Sequence, residues 1–269
     1  MTQRPEWAPS GVDLDRPNAG RVYDYYLGGS HNVAADREMA REAIELWPEL
    51  PLIMNANRAF LRRAVRYCVA QGMRQFLDIG SGIPTVGNVH EVAQAAAPEA
   101  RVVYVDINPV AVMHSRAILE GDPQTGVVQA DLREPDAILG HPEVRALIDF
   151  DQPLAVLLVA LLHFVPDGDD PIGLVGRLTA PLRPGSHLVI SHASRDSQSQ
   201  RTAEHQALYS RTSTPMTMRT RAQIEALFGG LELVEPGVVF LPQWRPESSG
   251  DVESHPERFT GLAGVAAIR

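Results

Sequence analysis

The chain predicts an α/β fold: a doubly wound, mostly parallel seven-stranded sheet preceded by an N-terminal helical cap. Three observations carry this expectation. From Gln75 onward, short runs that are apolar almost throughout alternate with helix-period segments, the pattern of a parallel sheet covered on both faces. Before Gln75 the periodicity is helical alone. After the fifth run, two further strand-like runs close the chain without an obvious helix between them, which suits a terminal antiparallel pair.

Residues 1–18 are polar and proline-bearing and read as a loose tail. Residues 19–71 form the expected cap or lid, because Met39, Ala43 and Leu46, and then Ala56, Phe60, Ala64 and Tyr67, recur at helical spacing. Residues 72–269 are the main domain. Its expected strands are 75–79, 101–105, 126–130, 154–159, 187–191, 233–240 and 264–268, and its clearest helices are 89–97, 109–119 and 172–182. Pro184-Gly185 turns the chain into the fifth strand. Thr220 with Gln223 makes a capping box ahead of Ile224, Leu227 and Phe228, and Gly229-Gly230 stops that helix.

A net charge of −9 on 269 residues leaves no basic stripe for the phosphates of nucleic acid, so no nucleic-acid partner is expected. With 44% hydrophobic residues the chain can bury a sizeable core. Its single cysteine, Cys68, excludes an internal disulfide framework or thiolate cage and reads as a small buried hydrophobe. Residues 1–11 hold no signal-like apolar stretch, and the longest apolar run, 154–162, is about half of a membrane helix. A cytoplasmic protein with no membrane association is expected; oligomeric state is not indicated.

In an open parallel sheet, ligands bind beyond the carboxyl ends of the strands. The first strand ends Asp78-Ile79-Gly80-Ser81-Gly82, where glycines permit a tight turn and close approach of a ligand to the backbone. The second ends in Asp106-Ile107, an acid placed to accept hydrogen bonds from both ribose hydroxyls. The third ends Ala130-Asp131-Leu132, where Asp131 can accept from an adenine amine. Together the three strand ends indicate a nucleoside-type cofactor. Thr85 replaces the third glycine of a dinucleotide fingerprint, and Pro84 removes an amide that a pyrophosphate would use. The motif therefore favours a nucleoside without phosphates over NAD.

Asp78-x-Gly-x-Gly, Asp106 and Ala130-Asp131 resemble the class I, Rossmann-like, S-adenosylmethionine-dependent methyltransferases. Longer words, Arg21-Val22-Tyr23-Asp24-Tyr25-Tyr26-Leu27-Gly28-Gly29-Ser30-His31-Asn32, Gly87-Asn88-Val89-His90-Glu91-Val92 and Gln243-Trp244-Arg245-Pro246, resemble the actinobacterial family once known only as domain of unknown function 574. The resemblance implies S-adenosylmethionine as cofactor. It implies that the turn of Asp78, Gly80, Ser81 and Gly82 passes under the methionine part, that Asp106 and Ile107 hold the ribose side, that Asp131 and Leu132 meet the adenine, and that Ala160 borders the cofactor. Gly28 to Asn32 reads as a lid, with Tyr23, Tyr26 or Asn32 reaching the methionine carboxylate, or as a plain glycine helix cap and turn.

The fourth strand runs into Ala160-Leu161-Leu162-His163-Phe164. Small-molecule O-methyltransferases carry a similar Leu-His word there with the histidine as base, so His163 is the candidate catalytic residue. The Asn/Asp-Pro-Pro-aromatic word of amino-directed DNA methyltransferases is absent from 160–164. Asp167, Asp169 and Asp170 read as a cap for the helix starting at Pro171 rather than a cation site, and no metal is expected. His187 and His192 flank the fifth strand without a fixed direction. The expected function is methyl transfer from S-adenosylmethionine to a small-molecule oxygen or nitrogen acceptor, the alternative being a non-catalytic sensor of that cofactor.

Overall fold

The computed structural model describes residues 13–84, 87–196, 199–212, 214–248 and 253–269. Thr85 and positions 1–12 of the expected tail lie outside them. Of the same segment, Arg16 donates through Nη2 to the Thr212 carbonyl at 2.7 Å, and the side chain of Asn18 caps the first helix.

Three helices come first: α1 (Ala19–Tyr26), α2 (Ala34–Leu46) and α3 (Leu50–Ala70). In α3 the buried stripe is Leu50, Ile53, Asn57, Phe60, Leu61, Ala64, Val65 and Cys68, at spacings of three and four with one polar member. The alternating domain follows: β1 (Gln75–Ile79), α4 (Val89–Ala96), β2 (Arg101–Asp106), α5 (Pro109–Ile118), β3 (Thr125–Gln129), α6 (Pro135–Gly140), α7 (Pro142–Leu147), β4 (Ala155–Val159), α8 (Pro171–Thr179) and β5 (His187–Ala193). It ends with α9 (Ser199–Tyr209), α10 (Arg221–Ala226), β6 (Glu232–Leu233), β7 (Val239–Phe240) and β8 (Gly261–Ala267).

The strand order is β3-β2-β1-β4-β5-β8-β6, with β7 also on β8. The first five strands are parallel, and β8 runs antiparallel to β5, β6 and β7. Strand order reverses between β1 and β4, which opens a crevice at their carboxyl ends. The run 233–240 is divided in two, giving eight strands among the described residues where seven were expected. Pro236 donates no ladder bond, and the Gly237 amide turns back to the Val234 carbonyl at 2.8 Å. Helices α6, α7 and α9, short or polar, were not legible in the apolar periodicity.

Alternate residues of each strand enter two cores. Phe76, Val102, Ala155 and Val189 share one with Phe60, Leu61, Ala64 and Val65 of α3, so the cap helices are packed into a covering layer of the sheet. Leu77, Val103, Val156 and Leu188 share the other with Ile138, Leu174, Leu178 and Ile224 from α6, α8 and α10. Truncating Phe60, fully buried, costs about 3–5 kcal/mol on the scale of such cavities. Cys68 is buried with its thiol pushed up to about 12 by burial, an inert hydrophobe. No helix among the described residues is long and apolar enough to cross a membrane.

Candidate functional site

A cavity of about 490 Å³ lies where the cap meets the carboxyl ends of the parallel strands, within the roughly 300–1,000 Å³ typical of small-molecule sites. Asp78, Gly80, Ser81 and Gly82 line it from β1, Asp106 and Ile107 from β2, Asp131 and Leu132 from beyond β3, and Ala160 and His163 from beyond β4. Tyr23 lines it from the cap. Gly28 and Asn32 do not.

The β1 turn explains its glycines. Gly80 has φ +74°, and a Cβ there would sit 2.5 Å from Leu161 Cδ1, so both the backbone conformation and the Leu161 side chain favour a glycine at this cavity-lining position. Gly82, at φ +68°, is different: a Cβ would meet nothing within 4 Å, because that side faces open space. The Gly82 amide donates to Asp106 Oδ2 at 2.7 Å and the Asn108 amide to Oδ1 at 2.8 Å. Burial pushes the Asp106 pKa up, against the pull of those amides. Asp78 is buried among the β1, β2 and β4 ends, and burial, with the nearby Asp106 carboxylate, raises its pKa to about 7 despite Arg58.

Asp131 is held by Arg133, whose Nε and Nη2 reach Oδ2 at 2.9 and 2.5 Å. Burial works to raise the Asp131 pKa, but the Arg133 hydrogen bonds outweigh it and the net shift is downward. Ile107 is 51% exposed, an apolar side chain left bare beside the Asp106 carboxylate. These features fit a nucleoside: carboxylates for hydroxyls and an amine, an apolar surface for a base, and a glycine turn open on the ligand side.

At the end of β4, Ala160 occupies the left-handed region at φ +55°, a conformation costing roughly 1–2 kcal/mol for a residue with a Cβ. Its amide donates to both the carbonyl and the Oγ of Ser191, at 3.1 and 2.9 Å. Ser191 Oγ in turn donates to Asn57 Oδ1 at 2.6 Å, and Asn57 Nδ2 donates to Tyr23 Oη at 3.0 Å. A buried chain of hydrogen bonds thus ties the strained β4 end to α3 and α1. Sequence reasoning missed Asn57 and Ser191. The signal for Asn57 was present, an amide standing on the apolar stripe of α3.

His163 lies in a 3-10 turn, Leu162–Phe164. The Ala193 amide donates to its Nδ1 at 3.4 Å, so the neutral ring carries its proton on Nε2. Burial, with His192, Arg219 and His205 nearby, holds its pKa well below the usual histidine value. His192 is fixed at both nitrogens: Nδ1 donates to the Ala193 carbonyl at 2.8 Å and Nε2 accepts from Arg219 Nη1 at 2.8 Å. Arg219 also donates to the carbonyls of Leu162 and Val165 and to Asp167, clamping the loop that carries His163. Nothing in the sequence around Arg219 signalled this. Asp170 caps α8 through the Gly173 amide at 3.1 Å, as expected of that acidic cluster. His187 begins β5, away from the cavity, with Tyr67 edge-on to its ring.

The glycine-rich segment after α1 is held from within. Gly28 follows the helix end at φ +78°, and Asn32 Nδ2 donates to Asp24 Oδ2 at 2.8 Å and to the Gly29 carbonyl at 2.9 Å. The Asp24 carboxylate also accepts the His31 amide, and it lies where a Gly29 Cβ would be. Arg21 and Asp36 form a buried ion pair at 2.7 Å, and Asp36 also accepts the amides of Asn18 and Val33. Gly28 and Asn32 therefore build the turn, and of Tyr23, Tyr26, Gly28 and Asn32 it is Tyr23 that lines the cavity.

Residues 5–269 match the model of a family described as S-adenosyl methyltransferase. A crystal structure from Thermobifida fusca YX is 42% identical, with TM-score 0.91 over 98% of this chain and 100% of that one. A DUF574 family protein from Streptomyces avermitilis MA-4680 is 40% identical, with TM-score 0.91 over 96% and 99% of the two chains. A chain from the Haloferax volcanii complex of the Trm112 methyltransferase activator, 16% identical with TM-score 0.52 over 84% of this chain and 96% of that one, shares the fold. No curated protein matches the chain. The cavity at the switch point, the three strand-end acids and these likenesses converge: the chain belongs to the S-adenosyl methyltransferase family and is an S-adenosylmethionine-dependent methyltransferase.

Proposed function

We propose that the protein methylates an oxygen or nitrogen of an uncharged small molecule bound in the same cavity as the cofactor. The observation that carries this is the continuity of one cavity from Asp78, Asp106 and Asp131 to His163 and on to residues of α9. Asp106 binds the ribose hydroxyls with both carboxylate oxygens pre-aimed by the amides of Gly82 and Asn108. Ile107 and Leu132 pack on the base, and Asp131 meets its amine with Arg133 turned aside. Gly80, Ser81, Gly82 and Asp78 hold the methionine part, and Ala160 borders it.

The cofactor supplies an electrophilic methyl group on a sulfonium. In the transfer the acceptor's lone pair would replace the carbon–sulfur bond, and the acceptor's proton would pass to solvent once the methyl group is bound. The chain's contribution is alignment and exclusion of water. His163, with Nδ1 committed and its proton on Nε2, acts by donating a hydrogen bond that positions the acceptor. Storing the departing proton on this ring would need an imidazolium that burial and Arg219 disfavour.

Calorimetric titration with S-adenosylmethionine, S-adenosylhomocysteine and NAD, repeated on Asp106→Ala, tests the cofactor assignments. Binding of the first two with at least tenfold loss in the variant is expected, since hydrogen bonds to a charged group are worth about 1.5–3 kcal/mol. Binding of NAD alone would overturn them. Transfer of a labelled methyl group into small-molecule fractions of an extract is expected. Label appearing only in protein or nucleic acid, or nowhere despite cofactor binding, would overturn the acceptor class, the latter in favour of a sensor.

A further inference from the structure

One wall of the cavity is a belt of rings in sequential contact. Trp47 meets His205 edge-on at 5.8 Å, His205 meets Tyr209 at 4.8 Å, and Tyr209 meets Phe164 at 6.2 Å. Phe164 meets His163 at 4.4 Å, and His163 meets His192 at 5.4 Å. All six line the cavity, with Met216 and Met218 beside them. The belt begins at the end of α2, crosses α9 and reaches the loop after β4.

Two polar groups in this wall have no hydrogen-bond partner among the described residues. Both ring nitrogens of His205 and the indole Nε1 of Trp47 are buried without a hydrogen bond among the described residues. His205 is only 3% exposed and Trp47 1%. An unpaired buried donor or acceptor costs about 1–3 kcal/mol, a cost a ligand can remove. None of the six rings is charged, and the Arg219 guanidinium behind His192 is already paired with Asp167 and the loop carbonyls. His192 is committed at both nitrogens, and burial lowers the His205 pKa to about 4, leaving the ring neutral. A carboxylate or ammonium would lose its hydration here without compensation.

We propose that this wall is the acceptor subsite and that it takes an uncharged, flat aromatic molecule bearing a hydroxyl, which His205 and the Trp47 indole bind by hydrogen bonds. Rings favour rings through offset and edge-on packing, and methionine sulfur adapts to their outline. A hydroxyl both donates and accepts, which matches a neutral imidazole that accepts and an indole N–H that donates. His205 binds the molecule; the methylated atom lies toward His163. The assignment rests on the methyltransferase reading for the cofactor half of the cavity.

The test is a titration of the full chain with 2-naphthol and 2-naphthoate, each with and without saturating S-adenosylhomocysteine, followed by calorimetry or saturation-transfer NMR. Expected are binding of 2-naphthol, at least tenfold weaker binding of 2-naphthoate, and at least tenfold loss of naphthol affinity in His205→Phe with S-adenosylhomocysteine affinity unchanged. His205→Gln, which keeps a hydrogen-bonding group, recovers part of the loss. Trp47→Phe, which keeps an aromatic ring but removes the N–H together with the five-membered ring of a buried indole, weakens naphthol severalfold with S-adenosylhomocysteine affinity unchanged, and keeps the proposal testable if His205→Phe fails to fold. Equal binding of naphthol and naphthoate, unchanged naphthol affinity in these variants, or no naphthol binding by a chain that binds S-adenosylhomocysteine would overturn the subsite. Failure to bind S-adenosylhomocysteine would instead overturn the cofactor reading, and the naphthol titration in its absence still decides the wall.

Discussion

Ser191 Oγ donates to Asn57 Oδ1 across 2.6 Å, and this one buried bond joins the fifth strand to the middle of the third cap helix. Ser191 also receives the Ala160 amide, so the strained residue at the end of β4 is anchored through the same hydroxyl. Ser191→Ala leaves the Asn57 carbonyl oxygen without this donor in a buried site. We expect a loss of about 1–3 kcal/mol in urea unfolding and weaker cofactor binding as the Ala160 turn loosens. A loss of stability below about 0.5 kcal/mol would show that the bond does not hold the cap to the sheet.

Gly80 and Gly82 separate stability from binding. Gly80→Ala adds left-handed strain of roughly 1–2 kcal/mol and a steric conflict with Leu161, itself worth about 1–3 kcal/mol, so unfolding becomes markedly easier. Gly82→Ala carries the strain alone and places its methyl group in open space at the cavity. We expect it to fold and to bind S-adenosylhomocysteine at least tenfold more weakly. Paired melts and titrations of the two variants check this.

Asp78 is expected to make cofactor binding depend on pH. Its pKa in the folded chain is raised to about 7 by burial, against an ordinary 3.8. Between those values the folded state keeps a proton that the unfolded chain has released, so Asp78 lowers stability as pH rises through that window. A cationic cofactor favours the ionised carboxylate. Its affinity should therefore fall as pH drops below about 7, by up to tenfold per unit, and level off above about 8. Asp78→Asn should flatten the profile and raise stability at pH 8; an unchanged slope in that variant would remove Asp78 from the linkage.

His163 should leave no mark on a pH–rate profile near its ordinary value, because its pKa is held well below that by burial and by His192, Arg219 and His205. With an acceptor identified from extract, His163→Ala should lower kcat/KM while sparing S-adenosylhomocysteine affinity. Undiminished turnover would take the residue out of the mechanism. An ionisation near 6.5 that disappears in His163→Ala would make it a base after all.

The alternation from Gln75 onward determined the parallel sheet, because strands covered on both faces must be apolar throughout, and such runs are local in the chain. The strand-end acids were legible for the same reason: the Asp78 turn, Asp106 and Asp131 follow directly from where β1, β2 and β3 stop, and all reach the cavity. The division of 233–240 was written in Pro236 and Gly237, within an otherwise apolar run.

Only the tertiary structure decided what depends on partners far apart in sequence. Asn32 is a cavity candidate until Asp24 is seen to hold it, and the closeness of Leu161 to Gly80 is visible only in the folded chain. The polar helix α9 carries no sheet-packing pattern, yet it brings His205 against Trp47 from the far end of the chain. A sequence exposes periodicity because burial repeats with the backbone; it does not expose which buried polar groups are paired, since pairing is settled by packing between segments.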